Sequence, residues 1–319
     1  MDEQTLIQEY FTQTKQDKNL ILGIGDDCAI VQSKPEHNIA ISCDTMVENI
    51  HFTHTTPPQA IAHKLITCNI SDLAAMGATP AWATLSISLP TADPKWLAQF
   101  SSTLKSLLNK YNLTLIGGDT TKSSIIMVSL TVHGFIAKQK ELRMSTAKTG
   151  DLIYVTGTLG DSKLGLECLQ GKQIPAAAKQ QAIHKHYYPD PQLLFGQKLV
   201  GYATSCTDIS DSLYQDLTAL TKASQVSANI QIDQIPISDL LKKSYHSKIE
   251  ALETAIIGGE DYELLFTINA KQEQEIKIIA DYINIKISCI GTIKEGKKNN
   301  FYHNANKFNI NKKNFEHFL

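Results

Sequence analysis

The chain has 319 residues, enough for two domains with separate cores. Its 42% hydrophobic and 19% charged residues and its net charge of −2 are ordinary for a soluble globular protein, and they give no argument for nucleic acid or a membrane surface as partner. No run reaches the roughly eighteen apolar residues that a membrane span needs, and the acidic start MDEQTLIQEY is unlike a secretory or mitochondrial leader. The six cysteines, at 28, 43, 68, 168, 206 and 289, form no CxxC pair and no zinc spacing. They read as reduced thiols in a cytoplasmic protein. Of the 30 basic residues only Arg143 is an arginine.

Residues 1–18 are expected to form an amphipathic helix with Leu6, Ile7, Tyr10 and Phe11 on one side. GIGDDCAIV (23–31) is a Gly-punctuated turn running into a short strand. From Asn38 to Val47 the pattern alternates, putting Ile39, Ile41 and Cys43 on one face and Ser42 and Asp44 on the other. In QAIAHKLITCNISDLAAMGATPAW (59–82), Pro57 and Pro58 supply a helix start and Gly77 a stop. At helical spacing Ile61, Leu65, Cys68, Asp72 and Met76 share one stripe, widened by Ile66, Ile70 and Leu73. Asp72, the only acid between Glu48 and Asp93, therefore falls on the face that should be buried. Such a carboxylate must be protonated, hydrogen-bonded, paired or metal-bound, because an unpaired buried charge is too costly.

A strand (ATLSISLP), a helix (94–111), a strand (LTLIGGDTT) and an alternating strand (124–137) follow. The polar stretch KQKELRMSTAKTG (138–150) reads as a linker between domains 1–137 and 151–319. The second domain is expected to hold a strand (LIYVTG), a Gly-rich turn into a helix (TLGDSKLGLECLQ), a polar stretch and a helix (191–203). After these come a helix over TDISDSLYQDLTALTKAS, strand ANIQI, the segment IIGGEDYELLFTI, strand KISCIGTI and a Lys/Asn-rich tail. There is no fixed-period repeat. Mixed helices and alternating strands point to an α/β (α+β) fold with partly antiparallel sheets.

Carboxylates recur where strands end or Gly turns open: Asp26/Asp27, Asp44, Asp72, Asp119, Asp208/Asp211 and Glu260/Asp261. Hard oxygen donors without a His or thiolate cluster suit Mg²⁺. Mg²⁺ completes its shell with waters and substrate phosphates, so many acids with few cations suggest a polyphosphate held through several ions. For any single Asp in a turn the competing reading is a hydrogen bond to its own backbone. Gly117–Gly118–Asp119 could lay N–H groups against a phosphate, or could be a plain turn. Asp208 and Asp211 are expected at the N-terminus of the helix that runs to Ser224, where they suit the helix dipole with or without metal. There is no P-loop and no HRD/DFG pair.

IGDDCA, SCDTMVENIHF, NISDLAAMGATPAW, LIGGDTT, GDLIYVTGTLGDSKLGL, DISDSL and GGEDYELLF together resemble the motifs of the thiamine-monophosphate kinase family, in order, from about residue 20 to the end. IGDD and GGD alone are shared with the larger aminoimidazole ribonucleotide synthetase-like superfamily. The resemblance implies two mixed-sheet α/β domains, N-terminal strands pairing across a homodimer, and ATP bound in a cleft. It implies phosphorylation of thiamine monophosphate to thiamine diphosphate, with ATP as co-substrate and several Mg²⁺ ions. It places Mg²⁺ ligands at Asp27, Ser42, Asp44, Asp72, Asp119, Asp208 and Asp211. Nucleotide contacts fall on Gly118, Asp119 and Ser210, and thiamine-phosphate contacts on His51, Glu260 and Phe315.

The chain departs from the family in three places. Cys43 replaces the usual Thr and is expected to reach metal only through its main-chain carbonyl. Ser212 replaces a Gly. The nucleotide-binding Arg aligns with Met144, while Arg143 stands one position earlier; either Arg143 takes the role through a local shift of register or the contact is lost. Competing readings are another ATP-dependent enzyme of the superfamily, or a Mg²⁺-dependent phosphatase or metal-binding module. Of the other superfamily members, selenophosphate synthetase lacks support because no Cys or selenocysteine precedes a Gly-rich N-terminal loop, and a hydrogenase-maturation dehydratase lacks support because FEHFL ends without a Cys.

Overall fold

The structure is a computed structural model and describes residues 2–12 and 17–310. The chain folds as two compact units, Met1–Leu73 with Ala78–Gln139 and Ala74–Gly77 with Lys140–Leu319.

In the first unit, α1 (Glu3–Leu6) runs into a π turn at Ile7–Phe11 that buries Tyr10 and Phe11. The expected single helix is thus broken at Ile7. Strands β1 (Leu20–Leu22) and β2 (Ile30–Val31) pair with each other around the Gly-rich turn. Then come β3 (His37–Val47), α2 (Pro58–Ala75), β4 (Thr79–Leu89), α3 (Pro94–Lys110), β5 (Thr114–Lys122) and β6 (Met127–Ala137). The sheet order is β3-β6-β4-β5. β4 and β5 are parallel, as a crossover through α3 requires, and the other pairs are antiparallel.

Helix α2 is buried almost all round. Ala60, Ile61, Leu65, Ile66, Ile70 and Leu73 are buried, and so are Thr67, Asn69 and Ser71. The expected one-sided stripe is therefore only part of a helix enclosed on most sides. Asp93 caps α3 by accepting from the Lys95 N–H at 3.0 Å. The α3 stripe of Leu97, Phe100, Leu104 and Leu108 is fully buried. Trp82 packs edge-on against Phe135 (5.1 Å between centroids) and donates its indole N–H to Asp17 at 2.9 Å.

The second unit contains β7 (Leu152–Thr156), α4 (Asp161–Leu169), α5 (Ala176–Tyr187), α6 (Leu193–Leu199), β8 (Ala203–Asp208) and α7 (Leu213–Ala223). These are followed by β9 (Ser227–Gln231), α8 (Asp239–Ser244), α9 (Lys248–Ile257), β10 (Leu264–Ile268), α10 (Glu273–Tyr282), β11 (Ile287–Lys294), β12 (Asn300–His303) and β13 (Asn306–Phe308). Seven strands form one mixed sheet in the order β13-β12-β9-β11-β7-β10-β8. The polar stretch after α4 holds helix α5, and the segment expected as the end of one helix and the start of the next is strand β8. Leu142 and Ala147, inside the expected linker, are buried in this unit's apolar clusters.

Candidate active site

Within the first unit, β3 lies antiparallel to β6 in unbroken register from His37↔Ala137 to Val47↔Met127. Its alternation turns Ile39, Ile41, Cys43 and Thr45 outward and leaves Ala40, Ser42, Asp44 and Met46 less exposed. Ser42 Oγ donates to Asp72 Oδ2 on α2. Burial raises the Asp72 carboxyl from 3.8 to about 6; the Ser42 hydrogen bond opposes the rise and the neighbouring Asp44 charge adds to it. Asp44 is raised by burial as well, against a hydrogen bond from the Cys68 thiol and the attraction of His51. Cys68, buried on α2, is pushed well up by burial and by Asp44 and Asp72. Two carboxylates that both resist ionisation when unoccupied, beside a serine hydroxyl, form a donor set suited to a hard divalent cation.

His51 follows β3 in a turn. Its Nδ1 accepts the Val47 N–H at 3.1 Å, so in the neutral ring the proton is on Nε2. Cys43 is exposed, with Sγ 3.5 Å from Ser129 Oγ.

A second group lines a cavity of about 970 Å³ in the same unit. Asp26 and Asp27 come from the Gly-rich turn between β1 and β2, and Gly117, Gly118 and Asp119 from β5. Gly118 is paired with Leu85 across the parallel strands, and a Cβ there would collide with the Leu85 carbonyl. Only glycine fits against β4 there, and on the cavity side Gly118 and Asp119 are exposed. Among the described residues no three His, Cys, Asp or Glu side chains close round an ion by themselves. A Mg²⁺ site completed by water and phosphate needs no such cage.

The third group belongs to the second unit. Asp208 ends β8 and is buried, Ser210 is half-buried and Asp211 is exposed ahead of α7. The expectation that Asp208 opens the helix is corrected: it is the last strand residue, because the chain pairs with β10 (Leu264↔Asp208) before it turns. Ser212 is the N-cap of α7, its Oγ accepting the Gln215 N–H at 3.1 Å. The Gly-to-Ser departure therefore supplies a cap.

The GGEDYE turn is zipped to this loop by backbone bonds: Ile209 N to Glu263 O (2.8 Å), Tyr262 N to Ile209 O (3.0 Å) and Glu260 N to Ser210 O (2.7 Å). A Cβ at Gly259 would collide with the Asp211 carbonyl. Glu260 and Tyr262 adopt left-handed backbone (φ 63° and 53°), an uncommon state for non-glycine residues that marks a tightly determined turn. Asp261, between them, accepts the N–H groups of Gly160 (2.7 Å) and Ser162 (3.2 Å). Its side chain thus anchors the start of α4, and desolvation holds its carboxyl well above the usual range.

Arg143 is exposed and its guanidinium pairs with Glu141. Its carbonyl accepts the Cys206 N–H at 3.1 Å, while Met144 O accepts from Ser224 Oγ at 2.6 Å. Phe315 lies outside the described residues.

Sequence reasoning missed three participants. Cys68 was read only as part of an apolar stripe, although its spacing of four from Asp72 places both on one helix face. Asp216 accepts the Asp211 and Ser212 N–H groups (3.2 and 3.1 Å), and burial raises it to about 7. His186 is buried on α5 within 3.6 Å of Glu260, and no local signal marks it.

Residues 25–136 match the family of AIR synthase related protein, N-terminal domain, and residues 148–304 its C-terminal domain. The chain is 41% identical over 297 residues to a thiamine-monophosphate kinase of Haemophilus influenzae, covering 92% of this chain and 90% of that protein. Its structure resembles the crystal structure of thiamine-monophosphate kinase from Stenotrophomonas maltophilia, with TM-score 0.84, 33% identity and coverage of 91% and 92% of the two chains. It also resembles AaThiL complexed with AMPPCP and TMP, with TM-score 0.79, 30% identity and 92% of each chain covered.

Proposed function

The chain belongs to the thiamine-monophosphate kinase family of AIR synthase related proteins, and from that premise we propose how it works. It transfers the γ-phosphoryl group of ATP to the phosphate of thiamine monophosphate, giving thiamine diphosphate and ADP. The observation within the molecule that carries this reading is the convergence of Ser42, Asp44 and Asp72, two ionisation-resistant carboxylates of which Asp72 accepts the Ser42 hydroxyl.

The residues expected to hold Mg²⁺ are Asp27, Ser42, Asp44, Asp72, Asp119, Asp208 and Asp211, with the Cys43 carbonyl. Bound there, the ions would offset repulsion between two phosphate anions and favour their in-line alignment. Gly118, Asp119 and Ser210 are assigned to the nucleotide, with Arg143 as the candidate guanidinium. His51, Glu260 and Phe315 are assigned to thiamine monophosphate. Nε2 of His51 suits a phosphate oxygen, and the Glu260 carboxylate suits the cationic thiazolium.

Transfer is direct, with no phosphoenzyme. The attacking phosphate oxygen is already anionic near neutral pH, with a second pKa of about 6 as for phosphorylated side chains, so it needs little help from a base. A thiol nucleophile would have to be a thiolate. Burial pushes the Cys68, Cys168 and Cys206 thiols up, away from that state.

The test is an assay of ADP release with thiamine monophosphate and with thiamine. Turnover with the monophosphate alone is expected, with intersecting double-reciprocal plots; equal turnover of both would refute the acceptor assignment. Parallel plots with labelled phosphate retained on the protein would refute direct transfer. ATP-independent phosphate release would instead mark a phosphatase.

We further propose a homodimer. The outer face of edge strand β3 leaves Ile39 39% and Ile41 64% exposed, and Met127 of β6 is exposed (39%) at the far end of the pair, opposite Val47. Light scattering giving one chain mass at micromolar concentration would refute it. A cytoplasmic location accords with six unpaired cysteines and with the absence, among the described residues, of any helix long and apolar enough to cross a membrane.

A further inference from the structure

We propose that His186 is a positioning residue for Glu260, holding its carboxylate where the cationic ring of the substrate docks. The proposal rests on the assignment of Glu260 to that ring.

The backbone of Glu260 is fixed by its left-handed φ, by its N–H bond to Ser210 O and by the closeness of Gly259 to Asp211. None of these fixes its side chain, which has three rotatable bonds and is 32% exposed. An exposed, flexible carboxylate loses rotamer entropy when it pairs with a ligand, and a neighbour that restricts it beforehand lowers that cost.

His186 is placed to be that neighbour. Its side chain is only 5% exposed, and its Nδ1 lies 3.6 Å from Glu260 Oε2 and 3.0 Å from Ser162 Oγ. The ring has little room to move. Gly165 lets α4 approach α5 so closely that a Cβ there would collide with the Ala182 carbonyl and meet His186 Cβ at 2.6 Å. Ser162 in turn donates its backbone N–H to Asp261, the residue after Glu260. The links close a circuit: Ser162 to Asp261 through the backbone, Asp261 to Glu260 through the chain, Glu260 to His186 in space, and His186 back to Ser162. With a proton on Nδ1 the ring draws the Glu260 carboxylate toward it at 3.6 Å, a separation beyond hydrogen-bond length.

The experiment compares His186→Leu, His186→Asn and Glu260→Gln in the full-length enzyme, reading kcat and both KM values with melting temperatures alongside. His186→Leu should raise the KM for thiamine monophosphate about tenfold, which is about 1.4 kcal/mol, with kcat and the ATP KM near wild type. His186→Asn keeps an amide donor near the position of Nδ1 and should recover most of the loss. Glu260→Gln should raise the same KM at least as much as His186→Leu. If Glu260→Gln leaves that KM unchanged, the assignment of Glu260 fails and takes the proposal with it. If Glu260→Gln raises it while His186→Leu lowers only the melting temperature, His186 is structural and the positioning role alone is overturned. Should His186→Leu not fold, Ser162→Ala frees one side of the ring. A rise of a few-fold in the same KM supports the proposal and no change refutes it.

Discussion

Replacing Asp72 with Asn removes one charge from the α2–β3 cluster and changes almost nothing else. Asn can still accept the Ser42 hydroxyl, so no cavity and no orphaned donor results. The folded carboxyl, raised by burial to about 6, stands above its ordinary 3.8. Between those values the folded chain holds a proton that the unfolded chain has lost. Metal-free stability therefore falls as pH rises through that window and is level above it. The rise corresponds to about 3 kcal/mol, or about 2 kcal/mol after allowing for the partial exposure of Asp72. In EDTA at pH 8 the Asn variant should melt about 4–8 °C above wild type. At pH 4.5, low in that window, the gain should shrink to about a third of its value at pH 8, and below pH 3.8 it should vanish. Added Mg²⁺ should reverse the order, because it stabilises the chain that binds it more tightly. Turnover should fall by about 10²–10³, the scale of a lost electrostatic stabiliser. Calorimetry at the two pH values and the ADP assay check all of this. An Asn variant that melts below wild type at pH 8, or turns over at the wild-type rate, would refute the reasoning.

Three further substitutions probe the other groups. Arg143→Lys should raise the ATP KM more than that for thiamine monophosphate, since a guanidinium binds phosphate bidentately and an ammonium does not; an unchanged ATP KM would leave Arg143 as the partner of Glu141 and nothing more. Gly118→Ala forces a methyl against the Leu85 carbonyl and should cost about 1–3 kcal/mol on thermal melting, with a raised ATP KM. Wild-type values for both would mean that β5 can shift freely. Asp261→Ala orphans the Gly160 and Ser162 N–H groups and should cost about 2–4 kcal/mol in denaturant unfolding; a loss of activity without a loss of stability would instead make Asp261 a ligand-binding group.

Where a signal was local and periodic, the sequence was readable. The alternation from Asn38 to Val47 puts Ser42 and Asp44 on one face, and helical spacing puts Asp72 on the inner side of α2; only the long-range meeting of the two had to be seen. Helix α3 was clear for the same reason, with its Asp93 cap and apolar stripe. Strand β8 was missed because its last four residues are all buried in the sheet, so it carries no in–out alternation to tell it from the flanking helices. Helix α5 was missed because it buries only Ala182 and His186, too few for an apolar stripe. The division of labour in GGED was equally hidden. Glu260 and Asp261 are adjacent and chemically alike, yet one stays half-exposed beside His186 while the other is tied to α4, a difference set by backbone angles and by partners about a hundred residues away.

Strand β3 faces its isoleucines outward and its carboxylate inward, the opposite of what burial alone prefers. A slip of one residue against β6 would exchange the two faces, bringing Ile39, Ile41 and Cys43 under α2 and sending Ser42 and Asp44 to the surface. That misregistered pairing is the natural competitor during folding, since it satisfies the hydrophobic effect better while destroying the cluster. Eleven consecutive pairs without a bulge must outweigh it. Refolding should therefore be sensitive to polar substitution at Ile39 and Ile41. Such changes penalise the slipped form more than the native one, and they would speed recovery of the native sheet even as they make the outer face less adhesive.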